Sequence, residues 1–203
     1  MQNQDGTVIF LDAGDTLIFA RRTMHEAIVE VCRDTGATIE ERFVRETAIA
    51  IKPTLGPVTT LDRDAFRGWW MRMYDELLRR CGYTGSIDAA REKLWDVWRS
   101  GRALRLFPDT LDALRGLRAS EYRLAVVSNW DDTLDNALRR LDIRQYFEEV
   151  FASYLLGVEK PDPEIFHHAL RVMNANPESV WHAGDSLESD VDGARNAGIR
   201  PIL

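Results

Sequence analysis

The chain has 203 residues, 45% of them hydrophobic and 29% charged, with a formal net charge of -7 at pH 7. That length allows a sizeable core in one domain carrying a large insertion, or in two small domains. The acidic balance excludes a phosphate-backbone binder, whose surface would carry a basic footprint, so nucleic acid is not expected as a partner. No apolar run approaches the roughly 20 residues of a membrane span, and Met1-Gln2-Asn3-Gln4-Asp5 carries no basic segment leading into an apolar one, so a cytoplasmic protein without a membrane partner is expected.

The first element is a strand-like run, Val8-Ile9-Phe10-Leu11, ending in the loop Asp12-Ala13-Gly14-Asp15-Thr16-Leu17. From Thr23 to Ser100 apolar residues recur at spacings of three and four, which predicts helices over 24–33, 40–51, 63–80 and 87–98, with no strand among them. Cys32 and Cys81 fall inside these helical patterns and read as reduced, structural thiols. From Pro108 onward helix and strand alternate: helix 110–119, strand 123–127, helix 131–141, strand 150–152, helix 163–172, strand 180–183, helix 188–197 and strand 199–203. Asp162 and Pro163 make an N-cap and first-turn pair, and Gly198 is placed as a helix C-terminal glycine. The last residues, Pro201-Ile202-Leu203, read as a strand in mid-course.

Short apolar strands separated by helices predict an α/β fold with a doubly wound parallel sheet. Residues 1–18 and 104–203 then form the core domain, and residues 19–103 an inserted, all-helical one. The insertion leaves directly after the Asp12 loop and returns near Leu106-Phe107-Pro108, as a lid over the ligand end of the sheet would.

Open α/β sheets bind ligands beyond the carboxyl ends of their strands, which is where Asp12 falls. Gly184-Asp185-Ser186-Leu187-Glu188-Ser189-Asp190 follows a second apolar run, so Asp185 and Asp190 are candidates to share a hard cation with Asp12. Each residue has a plainer reading: Asp12 as a loop-capping carboxylate, Asp190 and Ser128 as helix caps, Lys160 as a surface lysine before a turn. Lys160 stands out by composition, because the chain has only Lys52, Lys93 and Lys160 against 23 arginines.

Four motifs occur in order: Asp12 with Thr16, Ser128 after Leu124-Val127, Lys160 within Gly157-Val158-Glu159-Lys160-Pro161-Asp162-Pro163, and Asp185 with Asp190. On these motifs the chain resembles the haloacid dehalogenase-like superfamily of hydrolases, with a Rossmann-like core and a helical cap inserted after the first motif. The resemblance covers the whole core and, by placement and helical character only, the cap. It implies an aspartyl-phosphate on Asp12, and Mg²⁺ held by Asp12, the Gly14 carbonyl, Asp185 and Asp190. It further implies that the Thr16 and Ser128 hydroxyls and the Asn129 backbone N–H hold phosphoryl oxygens. Lys160 would touch both Asp12 and a phosphoryl oxygen, a task for a compact ammonium rather than a wide guanidinium. The implied partner is a small phosphorylated substrate, and the implied assembly a monomer or homodimer.

One position departs from the family pattern. Phosphatases of this superfamily usually carry an acid–base aspartate two residues after the nucleophile, and here that residue is Gly14; Asp15 follows one position later. A positioned acid–base group contributes about 10² to 10⁴ in rate, so slow cleavage of alkyl phosphates is expected, with acyl or aryl phosphates less affected. Dehalogenases and phosphonatases of the superfamily also lack that aspartate. A dehalogenase needs no metal site, and a phosphonatase needs a cap lysine, for which only Lys52 and Lys93 are available. A non-enzymatic reading is a metal- and phosphate-binding protein that docks partners through Trp69, Trp70, Met71 and Met73, although such a run is more often core. Loops 52–57 and 81–85 are the candidates for substrate selection, and Arg21 and Arg22 for an anion contact at the first crossing into the cap. His25, His167, His168 and His182 show no metal-ligand spacing and are assigned no role.

Overall fold

The computed structural model describes residues 7–21, 23–56 and 61–203; Arg22 and Pro57, named above, lie outside them. The chain divides into two compact units, Met1–Phe19 with Leu104–Leu203, and Ala20–Ala103.

The first unit is an α/β sheet sandwich. Strand β1 (Val8–Leu11) is followed by β2 (Ile18–Ala20), which pairs with β3 (Leu104–Leu106) in a two-stranded ribbon. Helix α5 (Thr110–Ala119), β4 (Arg123–Ser128), α6 (Leu134–Arg140) and β5 (Glu149–Ala152) come next, numbering the helical unit's helices α1 to α4. A short α7 (Ser153–Leu156), α8 (Pro163–Met173), β6 (Val180–Ala183), α9 (Gly193–Asn196) and β7 (Arg200–Ile202) complete the unit. The five-stranded sheet has the order β5-β4-β1-β6-β7, and its neighbouring strands run parallel. Alternation along the strands feeds two cores. Val8, Phe10, Ala125 and Val127 pack with Ile165, Phe166 and Leu170 of α8, while Leu11, Leu124 and Val126 pack with Leu114, Leu134 and Leu138 on the other face. A strand buried on both faces has no polar side, which is why β1 and β4 read as continuous apolar runs.

The segment after the Asp12 loop is tied to the segment that returns from the helical unit. The buried Thr110 hydroxyl donates to the Leu17 carbonyl at 2.9 Å, the Phe107 N–H donates to the same oxygen at 3.2 Å, and the Phe19 and Phe107 rings lie 5.0 Å apart. These contacts explain β2 and β3, which the pattern of the sequence does not show: three residues each are too few for periodicity, and their pairing is purely tertiary.

The second unit contains α1 (Met24–Asp34), α2 (Glu41–Ile51), α3 (Arg63–Arg80) and α4 (Ile87–Arg99). Thr23 caps α1 reciprocally, its hydroxyl accepting from the Glu26 N–H while the Glu26 carboxylate accepts from the Thr23 N–H. Asp62 and Ser86 cap α3 and α4 in the same side-chain-to-backbone manner. Ile28, Ile51, Leu77 and Leu78 are fully buried at the centre of this unit. Trp69, Met71 and Met73 are buried in the same cluster, which removes most of the docking surface considered for them. Cys32 and Cys81 are free thiols, and burial, followed by the neighbouring Cys81, pushes the Cys32 thiol up to about 11. No helix among the described residues is long and apolar enough to cross a membrane.

Two helices differ from their expected form. The segment 131–133 is a turn and not the first turn of α6, because Asp131 turns back to accept from the Thr133 N–H at 2.8 Å and from its hydroxyl. Residues Leu187–Asp192 wind as a π-type turn before α9, with the Ser186 carbonyl accepting from both Asp190 N–H (2.9 Å) and Val191 N–H (3.2 Å). Leu77→Ala is expected to destabilise the helical unit by about 3 kcal/mol, the cost of a core cavity, as measured by urea denaturation followed by circular dichroism.

Candidate active site

Register brings the motif residues together. Leu11 pairs with Val126 on one side and Ala183 on the other, so Asp12, Ser128 and Asp185 leave the sheet at the same end. The Asp12 N–H extends the ladder by donating to the Ala183 carbonyl at 2.9 Å. The loop then closes on itself, with Leu17 and Ile18 N–H groups donating to the Ala13 carbonyl. Asp15 occupies a left-handed position (φ 53°) and is exposed; that conformation is tolerable for Asp but costs most other side chains more.

Lys160 is the centre of the site. Its side chain is 2% exposed, and Nζ donates to Asp12 Oδ1 at 2.7 Å, Asp190 Oδ1 at 2.5 Å and the Val127 carbonyl at 3.0 Å. The three donors of the ammonium are thereby matched by three acceptors. Asn129 fixes the backbone beneath it, its side-chain amide donating to the Lys160 carbonyl at 2.8 Å and accepting from the Lys160 N–H at 2.7 Å. The Thr16 hydroxyl reaches Asp12 Oδ2 in a long bond of 3.4 Å, and Ser128 lies buried at the end of β4.

His182, given no role on the sequence, belongs to this constellation. It is fully buried, its ring meets Phe166 edge to face at 4.8 Å, and Nε2 lies 2.8 Å from Asp190 Oδ1. Burial lowers its pKa and outweighs the pull of Asp190, so the ring is neutral. The carboxylate acceptor assigns its proton to Nε2, leaving Nδ1 buried without a partner among the described residues. The one signal available was position: Val180 and His182 share the buried face of a four-residue strand, where a histidine needs a polar neighbour.

Asp190 accepts from Lys160 and His182 at Oδ1 and from the Ser186 N–H at Oδ2, 3.0 Å away. Burial alone would raise its carboxyl; these hydrogen bonds and the Lys160 charge hold it well below the carboxylate range instead. The wide turn at 187–192 is what aims this side chain back toward β6. Gly184 makes the room, since a Cβ there would collide with the Asp190 carboxylate. Asp185 is exposed, yet crowding by nearby atoms and then the charges of Asp12, Asp190 and Asp15 push its carboxyl up from its ordinary value.

Asp12, Asp185 and Asp190 each offer a ligand oxygen within 4.8 Å of the others. Three carboxylates against one ammonium, with His182 neutral, leave a local charge near -2, which adds to desolvation in raising Asp185. A hard divalent cation such as Mg²⁺ fits this all-oxygen set in both charge and donor chemistry. Gly14 lies within the Asp12 loop, bridged to Ile18.

A model of the haloacid dehalogenase-like hydrolase family matches residues 7–198. The chain belongs to that family, and it is a hydrolase. It is 33% identical over 137 residues, 66% of this chain, to haloacid dehalogenase-like hydrolase domain-containing protein 3 of Bos taurus, and spans only 55% of that relative's length. It is 30% identical to a glyceraldehyde 3-phosphate phosphatase of Methanopyrus kandleri over 207 residues, 94% of this chain and 80% of the relative. A crystal structure of 2-haloacid dehalogenase from Pseudomonas syringae pv. Tomato matches with a TM-score of 0.59 and 27% identity, covering 96% of this chain and 84% of that one.

Lys160→Met removes the cation and leaves the Asp12 and Asp190 carboxylates buried side by side. It is expected to cost about 3 kcal/mol of stability in metal-free buffer, measured by urea denaturation, because breaking a buried ion pair strands its charge.

Proposed function

We propose that this hydrolase is a Mg²⁺-dependent phosphatase acting on a small phosphorylated metabolite through an aspartyl-phosphate on Asp12. The observation that carries this reading is the Lys160 ammonium bonded to both Asp12 and Asp190, with Asp185 adding charge that calls for a divalent ion. The name of the archaeal relative, a glyceraldehyde 3-phosphate phosphatase, supports the same reaction class.

In this reading Asp12, Asp185, Asp190 and the Gly14 carbonyl would hold Mg²⁺, which when bound offsets charge on the dianionic substrate. Lys160 holds Oδ1 of Asp12 and leaves Oδ2 the freer oxygen. A carboxylate oxygen of Asp12 attacks phosphorus as the ester P–O bond breaks, and the leaving oxygen departs with the bonding pair. Water then attacks the phosphoryl group, the P–O bond to Asp12 breaks and the carboxylate returns; the proton the water gives up passes to solvent, from which the expelled oxygen takes one. Thr16, Ser128 and the Asn129 N–H steady the phosphoryl oxygens, and the inserted helical unit serves as the substrate-selecting cap.

The dehalogenase reading draws on Gly14 and on the likeness to the Pseudomonas enzyme. Against it, Asp185 and Asp190 would put unneeded negative charge beside a substrate carboxylate. The phosphonatase reading is weaker, since Lys52 is exposed and Lys93 is only half-buried and paired with Asp34 at 3.0 Å, neither of them the desolvated lysine a Schiff base needs.

A panel of phosphate esters, acyl phosphates and L-2-haloacids, assayed with Mg²⁺ and with excess chelator, tests the proposal. Turnover of phosphates is expected only with the metal; full turnover under chelation would move dehalogenation to first place. Asp12→Asn should lower hydrolysis by more than about a hundredfold while circular dichroism shows the fold intact, and a labelled substrate should leave its phosphoryl group on Asp12 of the wild type.

Gly14→Asp should raise turnover of alkyl phosphates by about tenfold and alter p-nitrophenyl phosphate much less, because only the poorer leaving group needs a proton. The backbone permits the change: a Cβ on Gly14 meets only Trp130 Cζ3, at an ordinary 3.5 Å. Rates are compared after circular dichroism shows a folded variant.

A further inference from the structure

The space that Gly14 leaves beside the nucleophile loop is bordered by an aromatic ring held in place from several directions. Because β4 runs in register with β1, the residues after Val127 advance alongside the Asp12 loop, and Trp130 arrives next to Gly14. Its indole Nε1–H donates to the Thr133 hydroxyl at 3.0 Å. Its N–H donates to Ser153 Oγ at 3.1 Å, and its carbonyl accepts from Ser153 Oγ at 3.2 Å and from the Tyr154 N–H at 3.3 Å. Thr133 is fixed in turn by Asp131. The ring packs partly on the Leu11 and Leu134 core and is only half-buried.

We propose that Trp130 is a specificity-determining residue on the leaving-group side of the site, selecting phosphate esters of planar, aromatic alcohols. The assignment rests on the phosphatase reading and narrows it. Two consequences of the same geometry agree. With glycine at position 14 no side chain there can protonate the leaving oxygen, which favours a leaving group stable as an anion; a phenol, with a pKa of about 10, meets that need where an aliphatic alcohol does not. The indole offers a planar apolar neighbour in the same place, and an aromatic pair favours offset or edge-to-face contact. An acyl phosphate also departs without a proton, but its small leaving group gains nothing from the ring.

The test measures binding of phenylphosphonate and methylphosphonate to the full chain with Mg²⁺ by calorimetry, since neither can be turned over by P–O cleavage. Wild type is expected to bind phenylphosphonate about fivefold or more tightly, in line with one aromatic contact. Trp130→Leu should abolish that preference while methylphosphonate affinity stays within about twofold, and Trp130→Phe should retain it despite losing the bond to Thr133. In turnover, Trp130→Leu should raise KM for phenyl phosphate and leave acetyl phosphate unchanged. If neither phosphonate binds wild type, the phosphatase reading falls and this assignment with it. If both bind wild type equally, if Trp130→Leu keeps the preference, or if it weakens both alike, the role of Trp130 is overturned and the phosphatase reading stands. Wild type and Trp130→Phe decide the matter should Trp130→Leu fail to fold.

Discussion

A buried ammonium shared by two carboxylates organises the core unit's functional end. Lys160 arrives from the loop before α8, Asp12 from the end of β1 and Asp190 from the turn after β6, so three separated segments meet at one nitrogen. An ion removed from water must recover its lost hydration through close, well-directed partners, and here each N–H has an acceptor. The geometry leaves little slack. The Asn129 amide fixes the lysine's backbone, His182 and the Ser186 N–H fix Asp190, and the absence of a side chain on Gly184 lets that carboxylate approach.

The balance of charge follows from that arrangement. One ammonium does not neutralise three carboxylates, and at Asp185, the most exposed of them, that repulsion adds to the larger effect of desolvation in raising the carboxyl. The three carboxylates around one ammonium form an all-oxygen set whose residual negative charge would suit a divalent cation. The protein's overall acidity adds to this preference.

Much of the core was legible because burial on both faces of a parallel sheet leaves unbroken apolar runs. Val8–Leu11, Leu124–Val127 and Val180–Ala183 announced their strands, and the rule that ligands gather at carboxyl ends pointed to Asp12 and Asp185. The helices of the second unit were read from amphipathic spacing, to within about a residue or two at their ends. What escaped the sequence was tertiary in origin. The β2–β3 ribbon pairs three-residue strands far apart in the sequence, next to the bonds from Phe107 and Thr110 to Leu17. His182 gained its place from Asp190, eight residues away and folded back through a π-type turn that no periodicity marks. Asn129 was read for its backbone N–H, while its side chain clamps Lys160; a residue of two amide functions gives no hint of which one the fold will use. Trp130 went unnoticed because its meaning depends on the glycine opposite, and that pairing exists only once β1 and β4 are in register.

The position of β1 bears on how the molecule opens. It is the middle strand, flanked by β4 and β6, whereas β7 is a three-residue strand at the edge next to β6. Free energies of local opening rise from fraying edges toward central strands. A fluctuation that begins at β7 therefore loosens the Asp185–Asp190 segment while Asp12 stays anchored between its neighbours. Amide hydrogens of Phe10 and Leu11 would exchange with solvent only on complete unfolding, those of the 185–192 turn far sooner. The two halves of the acidic set are thus mounted on ground of unequal firmness, and an ion bridging them would slow exchange chiefly in the outer half.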